Sequence, residues 1–561
     1  MAATQPIAPL RLAEGAPPQW HAETDLLVVG FGGAGACAAL EARERGLQVL
    51  ALDRFTGGGA TARSGGVVYA GGGTPQQRQA GYADDAQAMF SYLREEVGDV
   101  VQAETLRDFC QRSVEQLAWL ERQGARYEAS VPPQKTSYPS DRYYLYYSGN
   151  EAVPAYASLA KPAPRGHRTK GRGMSGAALF GALRAAARAK GVQLYSQCEV
   201  RRLVQDASGA VVGVEAWRLP PGSAAARRHA WLGRLATAIH PYAPPLAERL
   251  TAALQRIEQR HAQPLLLRAR KGVLLSAGGF IFNRAMLAEH APRYLAGLPL
   301  GTPGCDGSGI RLGLGVGAAA QHLDKVSAWR FINPPLAWAR GVIVNAEGER
   351  YCNEEVYGAK LGHAMVEEQG GRAILVLDRN LLRESVRQVG PGKVWSFQRL
   401  PVLLNLLFNR RRGDTPEQLA QALGMPPANL RRTLEEYGRA ARGEHTDAFG
   451  KSPAMLADLD DGPWYALDLS FDSKLYPCPA ITLGGLRVCE RSGRVLDAAG
   501  QPIAGLYSAG RNAVGIASNL YVSGLSIADC VYSGRRAAAP PPTRQRRHTP
   551  PPPKPPEGKQ A

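Results

Sequence analysis

Residues 25–66 read DLLVVGFGGAGACAALEARERGLQVLALDRFTGGGATARSGG, and the order of small and apolar residues in them decides the fold. Leu26, Leu27, Val28 and Val29 make a short apolar run with β-branched members, the mark of a strand buried in a parallel sheet. Gly30, Gly32 and Gly35 follow at the GxGxxG spacing, with Gly33 and Ala34 among them. The first glycine permits a tight turn, the second lets backbone approach a pyrophosphate, and the third lets a helix lie close on the strand. The spacing predicts that helix from about Ala34 to Gly46, with its free N–H groups aimed at phosphates. A second strand, Gln48 to Leu52, then delivers Asp53 where a carboxylate meets a ribose hydroxyl. Together these predict an α/β, Rossmann-like dinucleotide-binding domain.

At 561 residues the chain exceeds what one core serves, so two domains with appendages are expected. Its 45% hydrophobic and 21% charged residues fit a globular protein. No apolar run reaches the length of a membrane span, and residues 1–20 lack the layout of a secretory signal, so a cytoplasmic address is expected. The eight cysteines include no CxxC pair, which suggests neither a metal site nor a redox dithiol. The net charge of +18 is spread along the chain without a recognition motif, so nucleic acid is not an expected partner. An anionic membrane surface fits it better, which would make the address peripheral, on the inner face of the cell membrane.

After Asp53 and Arg54, the run from Gly57 to Gly66 is too rich in glycine for regular structure and exposes backbone N–H groups to a ligand. Here the chain resembles the flavoproteins that include fumarate reductases, succinate dehydrogenase flavoprotein subunits and the 3-ketosteroid dehydrogenases. In that family this loop runs beside the flavin, and some members carry a histidine in it that bonds covalently to FAD. Gly59 occupies that place, so the resemblance implies non-covalent FAD. It also implies a FAD-binding domain of the glutathione-reductase type at 22–297 and 470–536, with an inserted α+β catalytic domain at 298–469. The cofactor contacts it implies are Gly30, Gly32, Gly33, Ala34, Gly35, Asp53, Arg54, Thr61, Ser64, Gly65 and Gly66, joined later by Val200, Ala277, Gly278, Gly510, Leu525, Ser526 and Ile527.

Three further stretches stand out. Between Ser137 and Glu151 lie five tyrosines, among them Tyr144, Tyr146 and Tyr147, which offer flat apolar surface and hydroxyl donors to a large ligand or simply pack an ordinary strand. An insertion at about 219–267 reads as two basic amphipathic helices carrying Trp231, either a membrane-interface pair or a helical hairpin with a solvated face. The apolar run from Trp395 to Phe408, followed by Arg410, Arg411 and Arg412, is too short to span a bilayer; it either dips into one or is buried in the core. Beyond Arg536 the Pro-rich basic tail, 537–561, is expected to be disordered.

Residues 341–358 resemble the family pattern VNxxGxRFxNE, and Ser523-Gly524-Leu525-Ser526 aligns with its GGNS. Fumarate reductases place substrate-binding arginines beside both motifs; this chain offers Tyr357 and Tyr521. Exchanging a guanidinium for a phenol removes a permanent charge and a bidentate carboxylate grip, which disfavours a dicarboxylate and favours a neutral ketone. Tyr521-Val522-Ser523-Gly524 is similar to the Tyr-x-Ser of the 3-ketosteroid 4-(5α)-dehydrogenases. The resemblance therefore implies conversion of a 3-oxo-5α-steroid to its 3-oxo-4-ene. Tyr521, with the Gly524 N–H, would hold the 3-keto oxygen; Ser523 would take the proton from carbon 4, relayed through Tyr357; and FAD would receive hydride from carbon 5. The electron acceptor would be a quinone or another oxidant. Rival readings are a 3-ketosteroid 1-dehydrogenase, a fumarate-reductase-like reductase of another unsaturated substrate, and a flavin-binding membrane scaffold without catalysis.

Overall fold

Leu27 and Val28 are wholly buried because the strand they belong to, Ala22–Val29, has a neighbour on each side, the helix Gly33–Glu44 packed on it, and Leu27 in one core with the strands Cys198–Gln205 and Val211–Arg218. The computed structural model describes residues 4–13 and 18–538. Val49–Asp53 pairs parallel with this strand on one side and Gln263–Leu275 on the other, both in continuous register with Leu26 to Val29. The long strand Gln263–Leu275 forks the sheet: its first half runs antiparallel to Val211–Arg218, and its second half runs parallel to Pro502–Ser508. Gln193–Ser196 completes the parallel side next to Val49–Asp53.

Two of the fingerprint glycines, Gly30 and Gly35, act as expected. Gly30 turns with φ +94°, and a Cβ on Gly35 would lie 2.0 Å from the Gly30 carbonyl oxygen, so the first helix can approach only without a side chain there. That helix, Gly33–Glu44, packs against the closing helix, Leu525–Ala538.

The glycine-rich loop departs from expectation. Three glycines in the left-handed region, Gly57 to Gly59, reverse the chain, after which Gly59–Arg63 forms a short helix. Once the reversal is complete, Ala60, Thr61 and Ala62 have no reason to avoid helical dihedrals.

The insertion is a pair of helices, Ala224–Ile239 and Pro244–His261, packed on each other between two strands that already pair, Arg218 standing opposite Gln263. Glu258 ties it to the sheet, taking two hydrogen bonds from Arg54 at 3.0 and 2.8 Å and one from His229 at 3.0 Å.

A four-stranded antiparallel sheet, Val342–Val344, Ile374–Leu377, Trp464–Asp468 and Arg410–Gly413, builds the second region. Its VNxxGxRFxNE hairpin is locked by buried ions: Glu354 accepts from Arg350 at 2.9 and 2.8 Å, from Lys451 at 3.0 Å and from the Ile343 N–H at 2.9 Å. Burial opposes its charge, yet Lys451 and Arg350 hold the carboxyl below its usual range. The closing helix continues through Ala538, so the expected disordered tail loses its first two residues to it; the rest, 539–561, lies outside the described residues.

Candidate active site

Tyr357 stands three residues beyond the ion-locked Glu354, at the start of the helix Gly358–His363. Its N–H donates to Asn150 Oδ1 at 2.6 Å. Asn150 is itself held by a buried network, its Nδ2 donating to Glu96 at 2.6 Å and its N–H to the Tyr92 hydroxyl at 2.8 Å. Ser523 is gripped by the same stretch of chain: its N–H donates to the Ser148 carbonyl at 3.1 Å, and its hydroxyl lies 3.3 Å from that of Tyr146. Residues 146–150 thus hold the segments of Tyr357 and Ser523 at once. That common grip fixes Tyr357 relative to Ser523 although 165 intervening residues lead elsewhere.

Aromatic rings set the phenols. Tyr521 lies on Trp329 with ring centroids 4.9 Å apart, and Tyr357 meets Phe331 nearly edge-on at 6.0 Å. Burial pushes the Tyr521 phenol up to about 12, opposed by the Arg511 charge and a hydrogen bond from the Gly524 N–H. Burial also raises Tyr357 well above its ordinary value; Tyr521 and Tyr146 add to the shift and the Ser523 hydroxyl works against it. Both phenols are therefore protonated donors near neutral pH.

Tyr357, Tyr521, Ser523 and Gly524 share one cavity of about 1410 Å³ with the fingerprint turn. A drug-sized ligand fills roughly 300–1,000 Å³, so this cavity has room for a dinucleotide and a second, apolar molecule. Gly30, Gly32, Gly33 and Ala34 line it, as do Asp53, Arg54, Thr61, Ser64, Gly65, Val200, Ala277, Gly278, Gly510, Ser526 and Ile527. The fit to FAD has a direct sign: Arg511 lines the same cavity, and its Nη1 is buried without a partner among the described residues. Its Nη2 donates only to Cys305 Sγ, at 3.7 Å, and a guanidinium with no acidic partner among the described residues, beside the fingerprint glycines, is suited to a phosphorylated cofactor. His229, Gly233, Arg234 and Thr237 bring the helical insertion into the wall as well.

Several expected contacts stand elsewhere. Gly35 does not face the cavity; it is spent on helix packing. Gly66 lies behind the loop with its carbonyl accepting from Thr169, and Leu525 is buried in the core. Tyr144 packs under the Arg168 guanidinium, and Tyr147 meets Tyr82 edge-on; neither lines the cavity. Tyr146 touches it only through Ser523. Asp53 does line the cavity, but its carboxylate already accepts from the N–H groups of Phe31, Phe55 and Gly57. Arg54 also faces it, with its guanidinium committed to Glu258 and Asp306. Conversely, Trp329, Phe331, Tyr138 and Arg511 line the cavity without having been expected there. Of these only Tyr138 had a signal, as a member of the tyrosine cluster between Ser137 and Glu151.

A phosphate-binding turn and a phenol-walled apolar chamber within one cavity define the class of dinucleotide-dependent oxidoreductases. Residues 25–524 match the family described as FAD binding domain, and the chain belongs to that family, with FAD as its cofactor. It is 44% identical over 498 residues to 3-oxo-5-alpha-steroid 4-dehydrogenase of Comamonas testosteroni, covering 88% of this chain and 93% of that protein. It is 26% identical to 3-oxosteroid 1-dehydrogenase of Mycobacterium tuberculosis, covering 89% and 94%. Among solved structures, 3-ketosteroid-delta4-(5alpha)-dehydrogenase of Rhodococcus jostii RHA1, in complex with 4-androstene-3,17-dione, superposes with a TM-score of 0.79 at 29% identity over 94% of this chain and 99% of that one.

Proposed function

We propose that the protein dehydrogenates a 3-oxo-5α-steroid to the 3-oxo-4-ene steroid. The observation that carries this reading is the grouping of Tyr521, Ser523 and Tyr357 in one wall, framed by Trp329 and Phe331, in a cavity that also holds the fingerprint glycines. The relatives' names support it.

Bound FAD supplies the acceptor for hydride from carbon 5. The Tyr521 phenol donates to the 3-keto oxygen and stabilises the developing enolate, a role worth roughly 3 kcal/mol per donor. The Gly524 N–H, directed at the Tyr521 oxygen, strengthens that donor. Ser523 Oγ takes the proton from carbon 4 as it passes its own to Tyr357, which releases its hydroxyl proton to solvent through the cavity it lines, so neither alkoxide nor oxonium accumulates. Residues 22–297 and 470–536 serve the cofactor in this reading, and 298–469 close over the substrate. Electrons leave to a quinone or another diffusible acceptor, and the protein works in the cytoplasm, peripheral to the inner face of the cell membrane. No described helix is long and apolar enough to cross a membrane.

Anaerobic mixing with a 5α-saturated 3-ketosteroid tests the reading: rapid flavin bleaching is expected, and Ser523→Ala and Tyr521→Phe are each expected to slow it. Undiminished bleaching in both variants overturns the assignment. A 1-dehydrogenase is the second reading, favoured by the 26% identical relative; a product with its new double bond at carbon 1 would establish it.

A further inference from the structure

The helix Ser396–Phe408 buries Val402, Asn405 and Leu406, packs Leu403 against the core and leaves four of its apolar residues exposed. Phe397 is 42% exposed, Leu400 53%, Leu407 70% and Phe408 72%. At 100° per residue these four and Leu404 fall on one face, so the helix displays a continuous apolar stripe along its length. Phe397, Leu400 and Leu404 also line the cavity, which places the stripe at its mouth.

Three other segments bring exposed apolar side chains to the same opening: Met174, Tyr242 at the tip of the helical insertion, and Leu475. Scattered exposed apolar residues need no explanation, but convergence from four distant parts of the chain on one rim does. The charges there are one-sided. Asp53, Glu199 and Asp306 are the acids facing the cavity; the first is held by backbone N–H groups and the other two by Arg54. Arg63, Arg234 and Lys474, at the mouth and exposed, form no ion pair with any described residue. On the insertion, Arg227, Trp231 and Arg234 share one outward face, and Arg410 and Arg411, just past the stripe, also lack an acidic partner among the described residues. Apolar side chains ringed by unneutralised cations complement an anionic bilayer, whose headgroups take the cations while the acyl boundary takes the rings.

We infer that the protein docks the mouth of its cavity on an anionic membrane surface, with the helix Ser396–Phe408 lying in the interface. An apolar substrate then passes from lipid into the cavity without crossing water. The second step rests on the apolar-substrate reading above; the docking does not.

Flotation with vesicles tests it. Equal parts phosphatidylglycerol and phosphatidylcholine are compared with phosphatidylcholine alone, using the FAD-loaded full chain and a Trp231→Ser, Leu407→Ser, Phe408→Ser triple variant, none of whose altered residues lines the cavity. The wild type is expected to float with the anionic vesicles and to be released by raised salt. The triple variant should bind about tenfold less or weaker still, with an unchanged flavin spectrum and unchanged turnover of substrate delivered in cyclodextrin. A wild type that stays with the soluble fraction, or a variant that floats equally well, overturns the inference. So does light scattering that finds a wild-type dimer which the variant breaks into monomers, because a second copy would then cover the stripe. Flotation needs no substrate, so an error in the reaction assigned above would leave its result standing.

Discussion

The Tyr146 hydroxyl lies 3.3 Å from Ser523 Oγ, and Tyr146 itself is wholly buried, outside the cavity that Ser523 lines. The serine therefore stands between the substrate space and a phenol outside the cavity, an arrangement suited to orienting the serine hydroxyl toward the reacting carbon.

The two hydroxyls should then differ in kind. Ser523→Ala is expected to slow flavin reduction by about 10²- to 10⁴-fold, the loss of a positioned base. Tyr146→Phe should slow it by about tenfold, a fraction of that same contribution, and leave substrate affinity unchanged. Stopped-flow bleaching over a range of substrate concentrations separates the rate from the affinity. Equal effects of the two changes would place Tyr146 in contact with substrate after all.

Asn150 acts at one remove, through the Tyr357 N–H. Asn150→Ala strips partners from that N–H and from Glu96, both buried, and should cost about 2–3 kcal/mol in thermal stability. The same change should lower the rate of flavin reduction while the protein retains its FAD. Asn150→Asp keeps the acceptor for Tyr357 and is expected to restore part of the rate, which a purely structural role would not require.

Glu258 offers a pH test of the helical insertion. Burial raises its pKa, but His229 and Arg54 outweigh burial and hold it at about 2. A carboxyl depressed in the folded state adds stability above its unfolded value, near 4.3, and loses it as pH falls through about 2. Glu258→Gln should therefore lower the melting temperature at pH 7, by an amount corresponding to about 3 kcal/mol, the worth of a carboxyl held at about 2 in place of its unfolded value. The difference from wild type should shrink as pH falls below about 4. A gap independent of pH would locate the stabilisation in packing.

Arg511 carries a buried Nη1 with no partner among the described residues and lines the cofactor's cavity. Arg511→Ala should weaken FAD retention by about tenfold or more, the worth of a charge-assisted hydrogen bond. The recovery of free-flavin fluorescence on dilution measures this without turnover.

What could be read from the residues in order was what depends on near neighbours. The fingerprint turn was legible because strand, glycines and helix lie within 25–46 and sterics alone fix them. Tyr357 and Tyr521 were legible through the motifs beside them. Tyr144 and Tyr147 misled because they flank a strand of only two residues, Leu145–Tyr146, and their side chains take direction from distant partners, Arg168 and Tyr82 here. Asn150 gave no sign of its task, since Tyr357 and Glu96 reach it only after folding. Trp329 and Phe331 are ordinary aromatic residues until the loop carrying them meets the phenols.

The helical insertion begins and ends at strands paired through Arg218 and Gln263, so a tight turn could join them with the ladder intact. Length and charge can therefore change in this appendage while Tyr357, Tyr521 and Ser523, carried on other segments, stay in place. The surface that the protein turns to its surroundings is thereby separable from the segments that carry those three hydroxyls.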